Sequence, residues 1–221
     1  MHSDETMMLN EFVESYLAME SIRSRSFSMS AFKKLDRIDE MLNYARTHLR
    51  ALSSGSSREV FVLSSSKVLK IAIDELGIEQ NQNEVEVSSA APSSIIARVK
   101  HHDDQHRWIV AELVHPFDNE EQFKSALGLR FPRSSIWLLL NVAGARNFDQ
   151  QLAMYVTNNG DLKRPHVVSF LHDLRQLLAL GLSQGELEHA QQWGRTSDGR
   201  VVVLDYGLSK KLQKKHFGVA W

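Results

Sequence analysis

The feature that most restricts the fold is a change of pattern along the chain, from helical spacing to β-rich runs and back to helical spacing. Two β-rich runs, at 60–63 and 68–72, are separated by a serine-rich turn and predict a hairpin. A polar helix is expected over 78–90, and a second hairpin should then pair 95–99 with 108–113. The middle of the chain therefore predicts antiparallel strands interrupted by one helix.

The second half of the sequence is mainly helical in pattern. Apolar residues recur at helical spacing after Val167, with Pro165 suited to a helix start and Gly181 to a helix end. A polar loop and an apolar strand at 201–204 follow. Further helices are predicted at 120–129, 134–145 and 149–157. Strands followed by helices in this order predict an α+β fold.

The first 52 residues differ in composition from the rest. They contain six of the seven methionines and neither proline nor glycine. One helix face is predicted from apolar residues spaced i, i+3, i+4, i+7 and i+8, namely Leu9, Phe12, Val13, Tyr16 and Leu17. A second helix is expected over 31–52. The methionines are interpreted as core-filling side chains or as a surface for a protein partner. We therefore predict a helical N-terminal arm (1–52), an N-lobe (53–115) and a C-lobe (116–221).

The overall composition excludes several classes of function. The formal net charge of −1 provides no general attraction for nucleic acid or an anionic membrane. The absence of cysteine excludes disulfides, thiolate zinc sites and cysteine nucleophiles. The apolar run at 136–145 is about half of the ~20 residues that a membrane span needs, and the acidic start MHSDETMML lacks the basic stretch of a secretory signal. We expect a cytoplasmic protein with no membrane or nucleic-acid partner.

Phosphate chemistry is suggested first by a small-residue turn and a lysine. The turn Gly55, Ser56 and Ser57 precedes the hairpin, and Lys70 lies at the end of the run K-V-L-K. Backbone N–H groups of such a turn can approach phosphate oxygens, and a strand lysine adds positive charge. Considered alone, the same residues also describe a solvated hairpin with an incidental lysine.

Two carboxylates complete this pattern. Glu84 lies on the predicted polar helix, where it could orient a strand lysine through a charge-assisted hydrogen bond, although Glu86 competes for that role. Asp205 ends the apolar strand V-V-V-L and is followed by Tyr206 and Gly207. A carboxylate at that place suits the coordination of Mg²⁺ on phosphates, and it also suits an ordinary turn.

Taken together, these residues resemble the protein-kinase-like fold. The ordered elements are the small-residue loop, V-L-K ending at Lys70, the helical Glu84, A-E-L-V at 111–114 and D-Y-G at 205–207. The sequence is most similar to short kinase-like proteins encoded by bacteriophages, through K-V-L-K-I-A, Q-N-x-x-E and the W-G…V-x-L-D-Y-G-L ending. The resemblance spans about residues 53–209. It implies a small antiparallel N-lobe with one helix and a shortened helical C-lobe, located in a host cytoplasm or a phage particle.

The resemblance assigns roles to individual residues. Lys70 would contact the α- and β-phosphates of ATP, Glu84 would orient Lys70, and Asp205 would hold Mg²⁺. The backbone from Glu112 to Val114 would receive the adenine. Gln192 stands where the family has its second metal ligand, which is normally asparagine.

Departures from the family pattern leave two hypotheses open. The H-R-D catalytic motif is missing. The family's commonest spacing, counted back from Gln192, places Leu187 at the position of the catalytic aspartate. With one inserted residue Glu186 takes that position, and Glu188 is also near. Fourteen residues follow Gly207, so we expect a substrate to bind by a surface other than the usual docking helices. One hypothesis is a divergent kinase that binds ATP and Mg²⁺ and transfers phosphate. The alternative is a pseudokinase acting as an interaction or structural module, for example in a phage particle.

Two further clusters are interpreted as solvated surface. Three histidines and two aspartates at 101–106 lie in a predicted hairpin turn, where neighbouring side chains point apart. The basic residues of 210–216 are predicted to form a solvated helix end.

Overall fold

A computed structural model describes residues 27–130, 135–158 and 164–218. The predicted helix face at Leu9–Leu17 lies outside the described residues. The described strands are β1 (Arg50–Ser54), β2 (Arg58–Ser64), β3 (Lys67–Ala72), β4 (Val99–His102), β5 (Trp108–Glu112), β6 (Val114–Pro116), β7 (Trp193–Thr196) and β8 (Val201–Val203). The described helices are α1 (Met29–Phe32), α2 (Ile38–His48), α3 (Glu75–Ala90), α4 (Glu120–Ala126), α5 (Ser135–Gly144), α6 (Phe148–Asn158), α7 (Pro165–Ala179), α8 (Gln184–Leu187) and α9 (Lys210–Phe217), with a 3₁₀ turn at Ala190–Gln192.

The architecture is mixed, with antiparallel strand pairs and helices, as the sequence pattern predicts. Five strands form one sheet in the order β1-β2-β3-β5-β4, and three form a second sheet in the order β6-β7-β8. The chain divides into two compact units. The first contains Met1–Ile78 and His101–Ala111, and the second contains Glu79–Lys100 and Glu112–Trp221. None of the described helices is long and apolar enough to cross a bilayer.

The first unit is built on the predicted hairpin of β2 and β3. Phe61 pairs with Leu69 across this hairpin, and Val60 pairs with Lys70. Because side chains alternate along a strand, Phe61 and Leu69 face one core while Lys70 lies on the opposite face of the sheet. That core is closed by helix α2 and by two residues of β5; its members include Phe32, Met41, Ala45, Phe61, Leu69, Ile71, Trp108 and Val110.

The predicted helix over 31–52 is wrong in its bounds. The structure has the short helix α1, a break at 33–37, helix α2 and then strand β1, so Leu52 lies in a strand. β1 pairs with β2 from Arg50 to Ser54. Pairing with the edge of β2 satisfies the backbone N–H and C=O groups of β1. This gain outweighs the helix propensity of the last residues of the predicted helix.

The second unit encloses the larger core. The short sheet β6-β7-β8 contributes Val114, Trp193 and the fully apolar strand β8. Helix α4 packs against β7, and helices α5 and α7 pack against each other. The predicted second hairpin was wrong for 95–97, because these residues pair elsewhere. Ile96 forms a parallel bridge with Val203, and the Ala97 N–H donates to the Val203 carbonyl at 2.9 Å. The strands that follow helix α3 in this order are instead β4 and β5.

Candidate functional site

Asp205 is placed by the end of a buried strand. Val201–Val203 is buried along its whole length and pairs with β7. Immediately after it, the Leu204 N–H donates to the Gln192 carbonyl at 2.9 Å. Asp205 follows with an exposed side chain, whose Oδ1 accepts the Gly207 N–H at 3.2 Å. The strand end therefore presents a carboxylate beside the backbone of Gln192.

A small cavity of about 110 Å³ lies at this strand end, within the second unit. It brings together three of the residues selected from the sequence: Glu186, Gln192 and Asp205. Its remaining wall consists of Gln80, Leu182, Ser183, Leu187, Tyr206 and Leu208. Because a water molecule occupies about 30 Å³ of liquid, the cavity has room for an ion with a few oxygen ligands.

The short helix α8 determines which carboxylate near position 187 lines this cavity. Leu187 is 1% exposed and belongs to the core, and its carbonyl accepts the Trp193 Nε1–H at 2.8 Å. Glu188 is exposed and does not line the cavity. Glu186 is half-buried, lines the cavity, and accepts a hydrogen bond from Gln213 Nε2 at 3.1 Å.

Glu84 is the fully buried carboxylate of helix α3, with 0% exposure, whereas its sequence competitor Glu86 is exposed and accepts from Gln82 Nε2 at 2.8 Å. Glu84 acts on the buried Tyr206: burial raises the pKa of the Tyr206 hydroxyl well above its usual range, and the negative charge of Glu84 raises it further. Glu84 thus lies within electrostatic reach of the D-Y-G segment.

Tyr206 anchors the D-Y-G segment through hydrogen bonds of both its side chain and its backbone. Its hydroxyl, kept protonated by the raised pKa, donates to the Ala97 carbonyl. Its own carbonyl accepts from Asn83 Nδ2 of helix α3 at 2.9 Å. These two bonds stabilise the backbone that carries Asp205.

The other candidate residues of the phosphate hypothesis lie in the first unit. Lys70 is 7% exposed on β3. The turn from Gly55 to Ser57 connects β1 and β2, and the Gly55 N–H donates to the Arg58 carbonyl at 2.9 Å. Gly55 and Ser56 are exposed, whereas Ser57 is buried and its carbonyl accepts the Ile73 N–H at 2.8 Å.

Glu112, a predicted adenine contact, is the centre of an ion-pair network. Its backbone N–H donates to the Arg98 carbonyl at 3.0 Å, so this donor is engaged within the protein. Its carboxylate accepts from the Arg98 N–H at 3.1 Å and pairs with Lys100 at 2.8 Å and Arg200 at 2.9 Å. Val114, the neighbouring candidate, is buried in β6 opposite Thr196.

This network predicts a pH dependence of stability. Burial by itself would raise the pKa of Glu112, but hydrogen bonds from Lys100, Arg200 and the Arg98 N–H outweigh it and hold the pKa below its usual value of 4.5. A lowered native pKa contributes stability above about 4.5 that is lost as the pH falls through the native pKa. Urea unfolding from pH 7 downward should therefore show a steeper loss of unfolding free energy below pH ~5 in the wild type than in Glu112→Gln. Parallel curves for the two proteins would contradict this assignment.

Several cavity residues were not selected from the sequence. Gln80 and Ser183 line the cavity, and Gln213 reaches Glu186 from helix α9. Gln80 is the first residue of the Q-N-x-x-E motif, but that motif assigned it no role. Ser183 and Gln213 are of residue types that occur throughout the sequence, so no spacing distinguished them. In the described ranges, no three histidine, aspartate or glutamate side chains cluster closely enough to hold a metal.

The two clusters interpreted as solvated surface differ in their contacts, which are within the turn for the first cluster and with a distant helix for the second. Asp103 accepts from the Arg107 N–H and Nε, both at 2.6 Å, and the His102 ring stacks on His106 at 5.4 Å. In helix α9, Lys215 and His216 both contact Glu79.

Comparison with known proteins gives only distant structural matches. No protein-family model matches the sequence, and no curated protein does. The PknI kinase domain of Mycobacterium tuberculosis matches at 17% identity over 73% of this chain and 59% of that domain, with a TM-score of 0.37, and a point mutant of the same domain gives 0.35. APH(2")-IIa, solved with streptomycin and ATP, matches at 21% identity over 54% of this chain and 40% of its own, with a TM-score of 0.33. The chain thus spans less than two thirds of each matched structure, and at these scores the likeness establishes no activity.

Proposed function

We propose that the cavity of the second unit binds Mg²⁺ together with nucleotide phosphates, and that the chain is a divergent kinase-like phosphotransferase. The observation that supports this most directly is the meeting of Glu186, Gln192 and Asp205 around one cavity of about 110 Å³. The sequence resemblance assigns Gln192 and Asp205 to the metal and, with one inserted residue, places Glu186 at the position of the catalytic aspartate.

The donor chemistry of the cavity fits the ion. Asp205 offers carboxylate oxygens and Gln192 offers an amide oxygen, which are hard ligands of the kind that Mg²⁺ prefers. Mg²⁺ commonly takes one or two protein carboxylates and completes its shell with waters and phosphate oxygens. Asp205 is exposed, so phosphate oxygens can reach the same ion. Bound Mg²⁺ would neutralise phosphate charge during transfer.

The remaining roles are assigned to this chain's own side chains. Glu186 would accept the proton of an acceptor hydroxyl, since it is the half-buried carboxylate next to Asp205 on the cavity wall. Glu84 and Tyr206, both buried, would stabilise the backbone of the D-Y-G segment. Lys70 remains the proposed contact for the α- and β-phosphates on the sequence resemblance alone. The bacteriophage relationship and the cytoplasmic location stay predictions.

A second candidate is a pseudokinase-type interaction module without catalysis. One observation favours it: the Glu112 backbone N–H, expected near adenine, already donates to the Arg98 carbonyl. The Glu112 carboxylate is likewise engaged within the protein, by the Arg98 N–H, Lys100 and Arg200. A chain of this kind would keep the cavity residues but would not respond to nucleotide.

A thermal-unfolding titration separates the two candidates. With Mg²⁺ present, ATP at about 100 times its dissociation constant should add about 2.7 kcal/mol to the native state, and the shift should be reduced in Lys70→Ala. ATP with EDTA is the matched control and should give a much smaller shift, because the phosphates would lack their counter-ion. A wild type whose unfolding temperature is unchanged by ATP and Mg²⁺ would exclude the phosphotransferase and favour the interaction module.

A further inference from the structure

Helix α9 follows the D-Y-G segment closely and is attached to the second unit at both ends. Its first turn is capped by Ser209 Oγ, which accepts the Leu212 N–H at 3.4 Å, and the Lys210 N–H donates to the Gly181 carbonyl at 3.2 Å. At the other end, Lys215 and His216 pair with Glu79. The helix is therefore held in a defined position relative to helix α8.

Gln213 is the polar residue that this helix buries. It is 3% exposed, and its Nε2 donates to Glu186 Oε1 at 3.1 Å. Its own Oε1 is also buried, and within the described part of the chain no donor reaches it. A buried acceptor without a donor destabilises the folded state. The Gln213 amide therefore directs its Nε2 toward Glu186, although its Oε1 accepts no hydrogen bond within the described residues.

The chemistry of Glu186 explains this orientation. Turning the amide end for end would place Oε1 against the carboxylate, and two acceptors would then repel each other. An ionised carboxylate is acceptor-only, so it requires the Nε2 donor. The observed arrangement therefore directs a donor of α9 at the Glu186 carboxylate while Glu186 lines the cavity.

We propose that Gln213 is a positioning residue that holds the Glu186 carboxylate at the cavity for proton acceptance. This inference rests on the proposed phosphotransferase function and adds to it a role for helix α9. An amide suits the task because it carries a donor and an acceptor on one planar group. Its Nε2 donates to the Glu186 carboxylate at 3.1 Å, and the planar group fixes the direction of that donor.

The test compares Gln213→Met with Gln176→Met in the full chain. Methionine keeps the length and buried volume of glutamine and removes both hydrogen-bonding ends, and Gln176 is an exposed glutamine of helix α7. Mg²⁺-dependent ATP hydrolysis, with water as the acceptor, provides kcat and KM. We expect Gln213→Met to lower kcat about tenfold or more with KM for ATP unchanged, because the phosphate site does not contain Gln213. Gln176→Met should match the wild type in both constants.

A spectroscopic measurement separates this inference from the proposed function. The side-chain amide signal of Gln213 in a ¹H–¹⁵N spectrum should shift when Glu186→Gln replaces its acceptor, whether or not nucleotide is present. An unchanged amide signal would overturn the inference. So would a hydrolysing wild type whose kcat survives Gln213→Met, and in that case the phosphotransferase proposal would stand. A wild type that neither binds nor hydrolyses ATP overturns the proposed function and the positioning role together, even if the amide signal shifts.

Discussion

Replacing Asp205 by asparagine is expected to remove the Mg²⁺-dependent part of nucleotide binding. The substitution exchanges an ionised carboxylate for a neutral amide at the exposed end of strand β8. Mg²⁺ binds through one or two carboxylates plus phosphate oxygens, so losing the carboxylate of Asp205, the proposed charged ligand, should lower the affinity sharply. Saturating ATP with Mg²⁺ should add ~2.7 kcal/mol to the stability of the wild type. In Asp205→Asn the same ligands should add only the smaller amount that ATP with EDTA adds to the wild type.

The asparagine variant is chosen because it keeps the local structure. Its Oδ1 can still accept the Gly207 N–H, as the aspartate does at 3.2 Å, so the turn that carries the residue should persist. Asp104→Asn, at an exposed turn position between β4 and β5, is the matched control and should retain the full shift. If Asp205→Asn responds to ATP and Mg²⁺ as the wild type does, the carboxylate is not a ligand of the ion and the proposed site is incorrect.

Replacing Trp193 by alanine is expected to cause the largest loss of stability in the second unit. Trp193 is fully buried, and its ring packs against Phe123 at 5.4 Å and Phe170 at 5.6 Å between centroids. Truncating a buried tryptophan costs about 3–5 kcal/mol, and the Leu187 carbonyl that now accepts its Nε1–H at 2.8 Å would add about 1–3 kcal/mol when left unpaired. The sum is comparable with the roughly 5–15 kcal/mol that stabilises a typical domain.

Urea unfolding followed by circular dichroism measures this loss, and the chain supplies its own control. Trp137 on helix α5 is 54% exposed, so Trp137→Ala should change the unfolding free energy by less than about 1 kcal/mol. Trp193→Phe keeps an aromatic ring but removes the hydrogen bond and part of the buried volume, so its loss should lie between those of the wild type and Trp193→Ala. Equal losses for Trp193→Ala and Trp137→Ala would show that the aromatic cluster is not the centre of the core.

Trp193 also connects stability to the candidate site. Its indole anchors the Leu187 carbonyl, and Leu187 directly follows the proposed proton acceptor Glu186 on helix α8. On the other side, β7 begins at Trp193, next to Gln192. One buried side chain therefore sets the spacing between a carboxylate and an amide of the cavity.

The sequence pattern was sufficient to locate those helices and strands whose apolar residues follow a regular helical or alternating spacing. The hairpin of β2 and β3, the polar helix α3, the helix that starts at Pro165 and the buried strand β8 all lie where the sequence predicts them. Alternating or helical spacing of apolar residues identifies such elements because one face of each must be buried. The charged and amide residues beside these elements are therefore recognisable as candidates from their place in the sequence.

Pairing between distant segments was beyond the reach of the same patterns. Ile96 has the composition of a hairpin strand, yet it bridges Val203, more than a hundred residues later. The edge of β2 converts the end of a predicted helix into strand β1. Both outcomes depend on which backbone edge has unsatisfied N–H and C=O groups, and that is a property of the assembled sheets.

The sequence by itself determined the types of side chain available for chemistry: a strand-end aspartate, an amide 13 residues before it, and two glutamates on either side of Leu187. Only the tertiary structure placed Glu186 and not Glu188 on the cavity wall, and buried Glu84 but not Glu86, because burial in a shared core selects the face of a helix that turns inward. It also introduced Gln213 of helix α9, whose contact with Glu186 spans 27 positions of sequence. Such a contact arises from packing between helices, and no short-range spacing encodes it.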